Sequence, residues 1–244
     1  MSGLLIWYIP LGLLLVLLGL MLRNRAYRTW PWFFAYVAFA VAAGVARFAV
    51  HNHRHPFYLT YWISDAGHAI LGALAMYEIL RKVLRGLAGI WWTHLIFPAV
   101  VAVGVGLSLW RAQLVPPQVH DRLLLCIVVG EIAVRFVQIL VFVGLVGFVA
   151  LFGFRWRQYP LGIAAGFGLY STVALLITTK LSDIGTRFTF SWGVISLVAY
   201  SVAVLIWIGF FSVPQKEQPP LDPKVAKHYI ALLERYLNVL RRTR

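Results

Sequence analysis

Long runs of apolar residues alternate with short polar segments from the start of the chain to residue 212. Seven of these runs approach or exceed the roughly 20 mostly apolar residues that a helix needs to cross a bilayer. They cover residues 4–22, 30–50, 58–80, 90–110, 123–151, 160–179 and 190–212, which we call spans one to seven. The pattern predicts an all-α, polytopic fold with a seven-helix transmembrane domain over residues 1–213.

Span one has no basic segment and no small-residue cleavage site before Arg23. We therefore expect a retained helix and not a removed signal peptide. Span five is the longest, and its length predicts a tilted helix or one that extends beyond the bilayer. Span six contains Gly162 and Gly166 in a GxxxG pattern. Span three carries a stripe of small residues, Ala66, Ala69 and Ala73, which predicts the close approach of a neighbouring helix.

The C-terminal residues have a different pattern. Residues 214–221 form a proline-containing linker, and Asp222 followed by Pro223 is a typical helix start. An apolar stripe and separate basic residues then predict a cytoplasmic amphipathic helix over 222–244. The basic residues that we expect to contact anionic lipid headgroups, or a partner protein, are Lys224, Lys227, Arg235, Arg241 and Arg242.

Basic residues are distributed unevenly between the two sides of the predicted domain. Of 22 Lys and Arg residues, 15 lie in the first, third and fifth linkers and the tail, six lie on the opposite side, and Arg135 lies within a span. Under the positive-inside rule, this predicts an N-terminus outside and a C-terminus in the cytoplasm. We expect the membrane to be the inner membrane of a bacterium.

Composition narrows the class of protein. Hydrophobic residues make up 61% of the chain and charged residues 12%, against about 25% charged in soluble domains. No polar stretch is long enough for a separate soluble domain. Because the net charge of +14 is concentrated at cytoplasmic helix ends, we expect lipid and not nucleic acid as its partner. The single Cys126 excludes a disulfide framework and a thiolate zinc site.

Ionisable residues inside spans three and five are the main candidates for chemistry, because charge within a bilayer is costly and usually faces the protein interior. Asp65 and His68 share one face of span three, and Glu131 and Arg135 share one face of span five. If the two spans pack together, Arg135 can neutralise either carboxylate. The candidate ligand or ion-path residues are Asp65, His68, Glu131, Arg135, Gln138, Arg47 and Tyr200.

These residues admit two interpretations. They form either a satisfied polar cluster that fixes helix packing, or a ligand or proton-linked site. We expect a non-enzymatic protein, a sensor-like module or scaffold subunit, similar in topology to the membrane-embedded sensory modules of bacterial signalling proteins. The alternative is a small proton-linked transporter or channel that uses the same cluster. We find no metal-ligand or nucleophile–base spacing that predicts an enzyme.

The histidines are weak candidates for a metal site. His51, His53, His55 and His120 lie in outer linkers, where imidazole could bind zinc or copper. Haem is disfavoured because His68, His94 and His120 lie at different predicted depths and cannot form an axial pair. Seven helices with an outside N-terminus resemble rhodopsins, and this resemblance implies a retinal-binding lysine in the middle of span seven. Retinal is disfavoured because span seven contains no lysine. We therefore predict no cofactor.

Overall fold

The computed structural model describes residues 2–51, 53–83, 93–112, 122–152, 159–184 and 189–213. Within these ranges all regular structure is helical. The helices are α1 (Ser2–Arg23), α2 (Ala26–Thr29), α3 (Pro31–Ala49), α4 (Arg54–Val83), α5 (Thr93–Ala112), α6 (Arg122–Phe152), α7 (Tyr159–Ile184) and α8 (Thr189–Ser212). Spans one to seven correspond in order to α1 and α3 to α8, and the short helix α2 was not predicted. The all-α prediction is confirmed for this part of the chain.

Four helices in the described ranges are long and apolar enough to cross a membrane. Their apolar windows are Pro31–Ala49, Val129–Gly147, Tyr159–Ile177 and Gly193–Ser212, in α3, α6, α7 and α8. The apolar parts of α1 and α5, Tyr8–Arg23 and Leu95–Trp110, are shorter. Helix α4 has the required length, but its polar residues lower its hydropathy. The protein is therefore membrane-embedded, while the crossing of the bilayer by all seven long helices stays a prediction.

Local sequence determines where several helices begin and end. Pro31 occupies the first turn of α3, where its missing N–H costs nothing. Helix α1 ends at Arg23 and is followed by a turn at Asn24 and Arg25, where Arg25 adopts the left-handed conformation with a φ of 53°. The Asn24 side-chain amide donates a hydrogen bond of 2.6 Å to the backbone carbonyl of Phe211. This bond attaches the end of α1 to the end of α8.

The long helices other than α5 form a ring. Helix α1 packs against α3 and α8, α3 packs against α4, and α4 contacts both α6 and α7. Helix α7 then packs between α6 and α8, and α5 packs on α6 outside this ring. The contact between α4 and α6 is the packing of spans three and five that the candidate site requires.

Aromatic side chains fill the space enclosed by the ring of helices. The ring of Phe33 on α3 contacts the rings of Phe167 and Trp207, at centroid distances of 6.0 and 5.1 Å. Both Gly162 and Gly166 on α7 lie directly beneath aromatic rings of α8, those of Phe210 and Trp207. The GxxxG pattern thus provides room for two large side chains at the α7–α8 contact.

Candidate functional site

The seven candidate site residues all lie in described helices. Arg47 is on α3, Asp65 and His68 are on α4, Tyr200 is on α8, and Glu131, Arg135 and Gln138 are on α6. Their direct contacts divide them into small groups, most of which include a residue that the sequence analysis had not selected.

Arg47 joins α3 to α4 near the end of α3. Its Nε donates a hydrogen bond of 2.7 Å to the hydroxyl of the buried Ser64, and Nη2 donates one of 3.4 Å to the carbonyl of Tyr61. The guanidinium carbon lies 4.8 Å from the centroid of the Tyr61 ring. Hydrogen bonds and a cation–π contact therefore stabilise this charge within a largely apolar bundle.

His68 is held by its own helix and by aromatic neighbours on α3. Its Nδ1 lies 2.6 Å from the carbonyl oxygen of Ser64. Because a carbonyl can only accept, Nδ1 must carry a proton, which leaves Nε2 as the second polar atom of the ring. The rings of Tyr36 and Phe39 contact the imidazole edge to face, at centroid distances of 5.6 and 5.2 Å.

Arg135 pairs with Glu131 and not with Asp65. The guanidinium of Arg135 donates to the carboxylate of Glu131 one turn earlier on α6, and it also lies 5.7 Å from the centroid of the Tyr170 ring on α7. The Asp65 side chain is half-buried and makes no ion pair or side-chain hydrogen bond with a described residue. The structure thus resolves which of the two carboxylates Arg135 neutralises.

Gln138 links α6 to α7 in the core. Its Oε1 accepts a hydrogen bond from the hydroxyl of Ser171, and both side chains are buried. Gly72 on α4 makes room for the other end of this amide, since a Cβ at position 72 would lie 2.8 Å from Nε2 of Gln138. Three helices therefore converge on one buried amide.

Tyr200 contributes a buried hydroxyl at the centre of α3, α7 and α8. The hydroxyl of Tyr36 on α3 lies within reach of this hydroxyl, and no other side chain in the described part of the chain offers it a hydrogen bond. The Tyr200 ring contacts the rings of Tyr170 and Trp207 at 5.2 and 6.4 Å. Because a buried hydroxyl is costly when it is unpaired, Tyr36, water or a ligand must satisfy it.

Sequence analysis did not select Tyr36, Tyr61 or Tyr170, which contact His68, Arg47 and Arg135. A signal was available for Tyr36 and Tyr170, because they lie well inside spans and away from the interfacial positions that tyrosine usually occupies. Thr172 and Ser201 lie next to Ser171 and Tyr200 in sequence, but their hydroxyls donate to carbonyls of their own helices, at Gly168 and Leu197.

Of the remaining candidates, His51 and His53 are exposed. His51 stacks on Phe48, with centroids 5.2 Å apart, and its Nδ1 lies 2.6 Å from the Phe48 carbonyl. Within the described ranges no three His, Cys, Asp or Glu side chains gather as metal ligands. The side chain of His55 lies outside the described part of the chain, as do His120 and the tail residues Lys224, Lys227, Arg235, Arg241 and Arg242.

Polar contacts attach one helix to another through Arg47 and Gln138. The Tyr200 hydroxyl and the His68 Nε2 are the polar atoms that these contacts do not use. The chain matches no protein-family model, and no curated protein or solved structure is significantly similar to it.

Proposed function

We propose that this chain is a non-enzymatic integral membrane protein of the bacterial inner membrane that acts as a sensor-like module or scaffold subunit. In this proposal seven helices cross the bilayer, with the N-terminus outside and the C-terminus in the cytoplasm. The distribution of basic residues supports the orientation, and the four long apolar helices support membrane insertion.

The observation that carries the proposal is how the polar groups are paired. Arg47 bonds to Ser64 between α3 and α4, and Gln138 bonds to Ser171 between α6 and α7. Such contacts fix helix positions without requiring a continuous polar path. The buried Tyr200 hydroxyl adds a point at which a small polar ligand could be sensed, because a donor or acceptor there would satisfy it.

Cysteine labelling tests the orientation. Replacement of Cys126 by Ala gives a cysteine-free chain, into which single cysteines can be placed at Asn52, Gln118 or Thr186, and at Gly86, Gln158 or Thr243. We expect a membrane-impermeant maleimide to label the first three in intact spheroplasts and the last three only after lysis. Labelling of the second group in intact spheroplasts would contradict the proposed orientation.

Asp65 supports a second candidate function, a proton-linked transporter, because it is a half-buried carboxylate with no ion pair among the described residues. Proton flux into proteoliposomes separates the two functions, with Asp65→Asn as the test variant and protein-free liposomes as the control. The sensor or scaffold proposal predicts no flux above the control. Flux that Asp65→Asn abolishes, with unchanged thermal stability, would instead establish the transporter.

A further inference from the structure

An open groove lies between α4, α5 and α6 on the outer surface of the bundle. Its volume is about 650 Å³, within the range of about 300–1,000 Å³ that is typical of small-molecule sites. Ala66, Ala69 and Ala73 line it from α4 together with Leu74 and Tyr77, and Phe97 lines it from α5. The exposed Ile70 lies at its edge, so the groove is accessible from outside the bundle.

The alanine stripe, which predicts the close approach of a neighbouring helix, borders this open groove where α4 packs on α6. The groove exists because three successive turns of α4 carry methyl groups where larger side chains would otherwise fill the space beside α5 and α6. Its position beside Gly130 and Val134 places it at the start of the apolar window Val129–Gly147 of α6.

Two lining side chains carry polar atoms, the carboxylate of Glu131 and the phenol of Tyr77, and the rest of the surface is apolar. Glu131 borders the groove, and its side chain retains 23% of its exposure even though it is paired with Arg135. Arg135 does not line the groove. A carboxylate that faces hydrocarbon without a further partner is unfavourable. The surface is therefore complementary to a guest that brings a hydrogen-bond donor together with an apolar chain.

We propose that this groove binds a bilayer-dissolved alcohol, with its hydrocarbon chain along Ala66, Ala69 and Ala73 and its hydroxyl donating to Glu131. A neutral donor fits better than an ammonium ion because Arg135 already neutralises the carboxylate. A plain acyl chain would fill the groove but leave the carboxylate facing hydrocarbon. This inference goes beyond the proposed function and does not depend on it.

Photolabelling of the full chain in nanodiscs tests the proposal. The probe is a long-chain alcohol with a diazirine in its chain, and the control probe is its methyl ether, which has the same chain but no donor. We expect the alcohol to label peptides that contain residues 66–77 and 130–134. One hydrogen bond predicts labelling by the alcohol about three to ten times stronger than by the ether at equal, subsaturating concentration.

Two substitutions locate the binding. Ala69→Phe fills the groove and should abolish the preference for the alcohol over the ether. The Ala102→Phe variant, at an exposed position on α5, should be labelled like the unmodified protein. The melting temperature of each variant shows whether it is folded. Equal labelling by alcohol and ether would overturn the proposal and identify ordinary lipid chains as the occupant. Unchanged labelling of a folded Ala69→Phe variant would also overturn it.

Discussion

The carboxylate of Glu78 on α4 caps α3 through the backbone amide of Trp32, whose nitrogen lies 3.1 Å from Oε2. The same oxygen accepts from the amide of Phe33 at 3.3 Å, while Oε1 accepts from the Lys82 ammonium at 3.2 Å. Helix α3 needs this external acceptor because Trp30, its N-cap residue, carries only a donor on its side chain. A side chain of α4 thus satisfies first-turn amides of α3.

Replacement of Glu78 by Ala should therefore destabilise the α3–α4 pair. The change removes a buried charged acceptor, and hydrogen bonds to charged groups contribute about 1.5–3 kcal/mol each. We expect a loss of about 1–3 kcal/mol in the free energy of unfolding, measured by reversible SDS denaturation. Glu78→Gln keeps an acceptor and should lose less. Equal losses for Ala and Gln would mean that the cap does not contribute.

The second prediction concerns the packing of the α7 glycines against α8. A methyl group at Gly166 would collide with the indole of Trp207, whose Nε1 donates a 3.1 Å hydrogen bond to the carbonyl of Ile163. We expect Gly166→Ala to destabilise the protein by about 1–3 kcal/mol through overpacking.

The matched control for this substitution is Gly209→Ala on α8, where an added Cβ meets nothing within 4 Å. This variant should be neutral or slightly stabilised, because alanine favours the helix by about 0.5–1 kcal/mol. Thermal unfolding monitored by size-exclusion chromatography compares the two variants. A Gly166→Ala variant as stable as Gly209→Ala would show that α7 and α8 can separate without cost.

The length of the apolar runs was sufficient to predict the long helices, because a long apolar run in a membrane protein has few other ways to satisfy its backbone. The long helices lie within a few residues of the predicted spans. The i, i+4 spacing of Glu131 and Arg135 placed both residues on one helix face, but the sequence left open whether Arg135 neutralises Glu131 or Asp65. The structure adds that Arg135 turns toward Tyr170.

Contacts between helices could not be predicted in the same way. The bond between Gln138 and Ser171 joins residues that are 33 positions apart, and the cap of α3 by Glu78 spans 46 positions. Nothing in the local pattern of either segment specifies such a partner, because the pairing depends on how the two helices are rotated about their axes. The groove beside Ala69 could not be predicted either, because it also depends on how the helices are rotated about their axes.

Gln138 and Ser171 allow the proposed role of polar contacts to be measured. In a double-mutant cycle with Gln138→Leu and Ser171→Ala, the coupling free energy isolates their hydrogen bond. Such bonds in membrane proteins average about 0.6 kcal/mol and reach about 1.7 kcal/mol. We expect a value near the upper end, because both side chains are buried. A coupling energy of zero within error would remove this contact from the scaffold proposal.

The basic tail makes the last prediction, which concerns the full chain in a bilayer. Each Lys or Arg near an anionic surface gains about 1 kcal/mol, so a tail helix with Lys224, Lys227 and Arg235 should lie on an anionic membrane. In a Cys126→Ala background, a polarity-sensitive fluorophore at Leu233 should shift to the blue in nanodiscs with anionic lipid. The shift should decrease with salt and be small in zwitterionic lipid.

A variant with Gln at Lys224, Lys227, Arg235, Arg241 and Arg242 keeps the apolar stripe, so it should lose the dependence on lipid charge. The apolar stripe alone would respond equally to both lipids. If the spectrum of the unmodified tail were the same in anionic and zwitterionic nanodiscs, this result would contradict electrostatic binding and would favour a protein partner for this segment.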